Sequence, residues 1–156
     1  MKIGSSGSGV DSELPALDWR DEGRPVPEWW GPLMRQFADL LRLPPDWDGY
    51  GANVIDPQPL VAAYRFSVDF LRINSPAPQV VPLSSGGVQL EWHREDVDLE
   101  IEFDVGSPPS AYFCDSAVGE EHECVLPEGT VLVREWIARL ECAFARGWSN
   151  GTVGGV

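Results

Sequence analysis

Lysine is almost absent from this chain: Lys2 is its only copy, and 11 Lys and Arg together face 25 Asp and Glu for a formal net charge of −14. That shortage of cations argues against direct nucleic-acid binding, because phosphate contacts need Lys and Arg. It equally disfavours docking on anionic lipid. Cysteine is scarce too. Cys114, Cys124 and Cys142 make an odd set with no close pair, which suggests neither a disulfide framework nor a zinc site. Cys142, beside Ala143 in a helical pattern, reads as a small buried hydrophobe. Apolar runs of about 18 residues, long enough to span a bilayer, are missing. So is the apolar core of a signal peptide near Met1. A cytoplasmic protein is therefore expected, with no membrane contact. Nucleophile-elbow and glycine-rich phosphate-loop motifs are likewise missing, and no cofactor is expected.

What is present fits one domain with ragged ends. Residues 1–26 are rich in Gly, Ser, Pro and acids and carry no sustained period, so they read as a disordered or loosely attached arm. Trp19 and the pair Trp29-Trp30 are candidates for pinning that arm down. Leu33, Phe37, Leu40 and Leu41 follow Pro32 at helical spacing, and Pro44-Pro45 ends the pattern. Asp56-Pro57, a carboxylate cap before proline, opens a second helix. Its expected inner stripe is Leu60, Ala63, Tyr64, Ser67, Val68 and Leu71, and Asn74-Ser75-Pro76 closes it.

Beyond Pro78 the period changes to two. Gln79 to Leu83 reads as a short strand before the turn Ser84-Ser85-Gly86-Gly87. Val88, Leu90 and Trp92 alternate with Gln89, Glu91 and His93. Val97, Leu99, Ile101 and Phe103 alternate with Asp98, Glu100, Glu102 and Asp104. The link Arg94-Glu95-Asp96 makes these two runs a hairpin with one apolar and one acidic face. Ala111 to Asp115 adds a strand, Cys124 to Leu126 a short edge, and His122 among Glu120, Glu121 and Glu123 reads as loop. Val131 to Arg146 is a helix with Val133, Trp136, Ile137, Leu140 and Phe144 on one stripe and Gly147 at its end. The expected fold is α+β: two N-terminal helices, an antiparallel meander of about four strands, and a C-terminal helix on one sheet face. The single domain covers 27–147, with a flexible tail over 148–156.

Leu43-Pro-Pro-Asp-Trp-Asp-Gly-Tyr-Gly-Ala52, followed by a helix and by Gly86-Gly87-Val88-Gln89-Leu90-Glu91-Trp92, resembles a group of short bacterial proteins of uncharacterised function. Those carry a WDGYGA segment and, some forty residues on, a GGxQLEW strand leading into an acidic hairpin. The resemblance covers roughly residues 43–105. It implies a shared small α+β domain and a bacterial or phage origin, and brings no activity, cofactor or catalytic residue.

Three constellations carry possible chemistry. In the segment around Trp47, Asp48 and Tyr50, one reading buries the aromatics against the two helices while Asp46 and Asp48 form Asx turns. The other makes Trp47, Asp48 and Tyr50 an exposed anchor for a partner. Glu91, Asp98, Glu100, Glu102 and Asp104 should share one sheet face, with alternate residues about 7 Å apart along a strand. That spacing is close to the separation of successive phosphates, so such a row suits a basic protein surface, including one that handles nucleic acid. Glu91, His93 and Asp98 form the one cluster suited to general-base or metal chemistry. Charge and the missing catalytic motifs together favour a non-catalytic interaction protein of antitoxin, immunity-protein or inhibitor type. A small metal-dependent enzyme and a subunit of a larger assembly are the alternatives.

Overall fold

The computed structural model describes Gly23 and residues 25–149. The expectations for Trp19, for nearly all of the arm and for the tail beyond Ser149 lie outside these residues. Three helices and five strands follow in the order α1 (Trp30–Leu40), α2 (Pro57–Phe70), β1 (Gln79–Pro82), β2 (Val88–Arg94), β3 (Val97–Phe103), β4 (Ser110–Asp115), β5 (Glu120–Val125) and α3 (Thr130–Ser149). The strands form one antiparallel meander in which every neighbour in space is a neighbour in sequence. The class is α+β, with one strand more than expected.

Local chemistry accounts for the elements. Asp56 caps α2 by accepting from the Gln58 N–H at 2.8 Å, with proline in the first turn. Trp29, buried at 1 % exposure, pins the start of α1 by donating from Nε1 to the Arg72 carbonyl at 2.9 Å. In α2 the buried stripe is rotated from the expected one. Phe66 is buried, stacking on Phe70 at 4.4 Å and meeting Phe103 edge-on at 5.7 Å, while Val68 is exposed. The large ring, rather than the smaller valine, takes the space over β3. The third helix runs through Gly147 to Ser149, so that glycine does not end it. Cys142 is exposed and Ala143 is buried, the reverse of the expected reading for the cysteine.

All three helices pack on the sheet face formed by Val88, Leu90, Trp92, Val97, Leu99, Ile101, Phe103, Ala111 and Phe113. Trp136 of α3 stacks on Phe113 at 5.4 Å. Arg139 then bridges from α3 to the β4–β5 hairpin, reaching Asp115 at 2.6 Å and Glu120 at 2.5 Å with its guanidinium over Phe113. Ser75, 2 % exposed, accepts from the Arg72 N–H at 2.7 Å and donates to Glu141, tying the α2–β1 loop to the same helix. Among the described residues, burying one face of the sheet against helices leaves the opposite face without a covering layer.

Candidate functional site

The uncovered face follows from strand register, because residues directly opposite each other share a face. One row across it runs Gln79, Glu91, Glu100, Tyr112, Glu123. The row to one side runs Val81, Gln89, Glu102, Ser110, Val125, and that to the other His93, Asp98, Cys114, Glu121. Glu91, Asp98, Glu100, Glu102, Glu121 and Glu123 therefore lie on one surface with no Lys or Arg among them. Of the residues expected there, Asp104 is not in the sheet. β3 ends at Phe103, and the Asp104 carboxylate turns to the Val105 N–H at 2.7 Å.

Glu121 and Glu123, expected in a loop, lie in a strand. β5 spans Glu120–Val125, and its inward residues His122 and Cys124, with Leu126 beyond, continue a period of two. That period was visible in the sequence, but histidine and cysteine are weak markers of an inner face. Cys114 and Cys124, in adjacent strands, point to opposite faces and cannot meet across the sheet.

Packing like charges across a sheet is destabilising, and neutral and cationic donors are interleaved among these carboxylates. Glu91 sits directly opposite Glu100, and the Gln89 amide donates to both, at 3.0 Å each. Tyr112 donates its hydroxyl to Glu121 at 3.1 Å, and partial burial together with that carboxylate pushes the phenol pKa up to about 12. The His93 imidazole bonds Asp98 through Nδ1 at 2.8 Å and Glu91 through Nε2 at 3.1 Å. Both nitrogens can donate only in the imidazolium form. Asp98 first and Glu91 second raise the His93 pKa above its ordinary value, outweighing partial desolvation. Among the described residues, Glu102 and Glu123 have no side-chain partner. They border a shallow depression of about 480 Å³ lined also by Gln89, Glu100, Ser110, Tyr112 and Val125.

A metal set would be Glu91, His93 and Glu100, whose ligand atoms lie within 4.8 Å of one another. The expected trio of Glu91, His93 and Asp98 does not converge, because Glu91 and Asp98 bind opposite nitrogens of one ring. In its imidazolium form His93 sets a positive charge between Glu91 and Asp98, one N–H to each.

The Trp47 segment divides between its two readings. Asp46 accepts from the Gly51 N–H at 2.6 Å, and Asp48 from Tyr50 at 2.8 Å and Ala52 at 3.1 Å, so both carboxylates close the loop as Asx turns do. Trp47, half-buried, donates to the Asn53 carbonyl at 3.1 Å. Tyr50 is 94 % exposed and buries against neither helix. Once carboxylates hold the loop, the residue at its crest needs no apolar partner. The loop docks on the β1–β2 turn, where Asn53 N–H donates to the Ser84 carbonyl and Asp56 N–H to that of Gly86, both at 2.9 Å. Gly86 has φ +97° and its position would bring a Cβ within 2.8 Å of the Val54 carbonyl, so only glycine fits without displacement. The stretch that follows the first resemblance segment thus docks on the turn that opens the second.

No helix among the described residues is long and apolar enough to cross a membrane. No family model, curated protein or solved structure matches the chain.

Proposed function

We propose that the protein is a non-catalytic interaction protein whose outer sheet face binds a basic protein surface. The observation that carries this reading is the register-defined carboxylate face, spread over β2, β3 and β5 and free of Lys and Arg. Complementary charge of this kind governs encounter rate and partner choice. The partner class it suits is a protein with a cationic groove that handles nucleic acid, which makes the chain an inhibitor, immunity protein or antitoxin. The resemblance to short bacterial proteins belongs to the same reading and implies a bacterial or phage origin. Trp47, Asp48 and Tyr50 form a second contact area, with Tyr50 standing clear of the surface.

The test compares two triple variants for binding to a purified cationic nuclease. Glu100→Gln/Glu102→Gln/Glu123→Gln removes charge from the face, and Asp39→Asn/Asp69→Asn/Glu135→Gln removes as much from exposed helix positions. The face variant is expected to lose affinity by about tenfold or more at low salt, with duplex DNA competing for the same site. Equal affinities for the two variants would refute the reading.

A second reading, a metal-dependent enzyme, is favoured only by the convergence of Glu91, His93 and Glu100. Calorimetric titration with Mn²⁺, Mg²⁺ and Zn²⁺ tests it, and binding no tighter than about millimolar removes it.

A further inference from the structure

The two edges of the sheet are finished differently. At β1, the Gln36 side chain accepts from the Val80 N–H at 2.8 Å and donates to the Pro78 carbonyl at 2.9 Å, and Pro82 has no N–H to offer. A side chain of α1 thus occupies the groups that another strand would use.

At β5 the register determines which groups are free. The Leu126 N–H donates to the Pro109 carbonyl at 2.8 Å, which makes that pair a hydrogen-bonded one. Hydrogen-bonded pairs alternate in an antiparallel ladder, so Cys124, His122 and Glu120 also direct their backbone groups towards β4. Glu121, Glu123 and Val125 must then turn theirs to the open side. The Val125 carbonyl agrees with this, since it accepts from the Gly129 N–H rather than from β4. Among the described residues, nothing pairs with the N–H and C=O of Glu121 and Glu123. β5 holds no proline, and its outward side chains continue the carboxylate face beside the depression at Tyr112 and Glu123.

Resting on the reading of that face as the working surface, we infer that β5 accepts an extended, Lys- or Arg-bearing segment of the basic partner as a sixth, antiparallel strand. Its main chain bonds Glu121 and Glu123, and its alternate side chains reach the Glu123 and Glu121 carboxylates. A second copy of this chain is a poor occupant. Pairing β5 with itself about His122 sets Glu121 of one copy opposite Glu123 of the other, and pairing about Glu123 sets that residue opposite its own copy, so like charges repel in both. A positively charged strand turns the same arrangement into attraction.

Two synthetic peptides of equal length and charge test this. Lys-Thr-Lys-Val-Lys-Thr-Lys favours an extended strand, and Lys-Gly-Lys-Gly-Lys-Gly-Lys does not. Calorimetry gives affinity, and amide hydrogen exchange on the full chain gives location. With two or more main-chain bonds gained, the first peptide should bind about tenfold tighter than the second and slow exchange at Glu121 and Glu123. Glu123→Pro removes an outward N–H without touching the β4 ladder and should bring the affinity ratio near one. Glu123→Gln should weaken both peptides and preserve the ratio. Equal binding of the two peptides to the unaltered protein, with no protection in β5, overturns the strand addition while leaving the carboxylate face intact as a binding surface. Binding of neither peptide at about 50 mM salt overturns both, because charge attraction alone should be measurable there. The exchange experiment needs no variant, so a misfolded Glu123→Pro chain leaves the decision in place.

Discussion

Replacing Gln89 by leucine isolates the means by which the carboxylate face tolerates its own charge. Glu91 and Glu100 are cross-strand partners whose carboxylate oxygens come within 4.8 Å, and the Gln89 amide donates to both at 3.0 Å. Two unit charges at that separation repel by about 0.9 kcal/mol in a water-like medium and by about 3.5 kcal/mol at an effective dielectric near 20. The Glu91 side chain is 19 % exposed, which places the pair between those limits. Loss of the shared donor should therefore cost about 1–2 kcal/mol at low salt. The measurement is the urea midpoint at constant m-value, for Gln89→Leu against the unaltered protein. At about 1 M salt the screening length shrinks to about 3 Å, and the loss should fall by roughly half. In a Glu100→Gln background it should fall in the same way, because one charge of the repelling pair is gone. An equal loss at both salt concentrations, together with additivity against Glu100→Gln, would show that Gln89 contributes packing and not relief of charge.

His93 gives a pH signature of opposite sign to that of an ordinary carboxylate. Its folded-state pKa is raised by Asp98 and Glu91, so its stabilising contribution is complete below the unfolded value of about 6.5 and is lost as pH climbs through the folded value. The difference in urea midpoint between the unaltered protein and His93→Gln should thus shrink from pH 6 towards pH 9, and a difference that grows would contradict the geometry. Arg139→Met removes two carboxylate bonds and a stacked contact on Phe113, and a loss of about 1–2 kcal/mol is expected, discounted because the side chain is one-third exposed. Hydrogen exchange should report it as faster opening of the β4–β5 hairpin. Gly86→Ala must place a Cβ against the Val54 carbonyl at positive φ and should lose about 1–3 kcal/mol in thermal or urea unfolding, whereas Gly49→Ala, with open space around it, should lose about 1 kcal/mol.

The parts of the fold that were legible from residues alone are those in which one physical signal dominates. Asp56-Pro57 combines a cap acceptor with a preset φ, and α2 starts there. Alternation within Val88–Arg94 and again within Val97–Phe103 made both the hairpin and its acidic face legible. Phe66 was missed because helical phase alone does not say which neighbouring residue on a broad apolar arc meets the core. Only the end of β5 near Cys124 is legible as a short edge, because its inward positions hold His122 and Cys124, and its glutamates resemble a solvated run until β4 pairs with them. Tyr50 could not be placed, since burial of a loop aromatic depends on what lies across from it. The different finish of the two sheet edges depended on a side chain, Gln36, forty-odd residues away from the backbone it covers, a relation that no local pattern encodes.

The sequential strand order also bears on how the chain reaches its native state. Each strand pairs with the next through a short link: 83–87, 95–96, 104–109 and 116–119. Closing short loops costs little chain entropy, and such local pairings favour fast folding. The link 95–96 is the shortest of these, so the β2–β3 hairpin that sets Glu91 opposite Glu100 is expected to close early. Salt added during refolding should therefore quicken the assembly of this sheet, with the strongest effect on the step that joins Glu91 to Glu100.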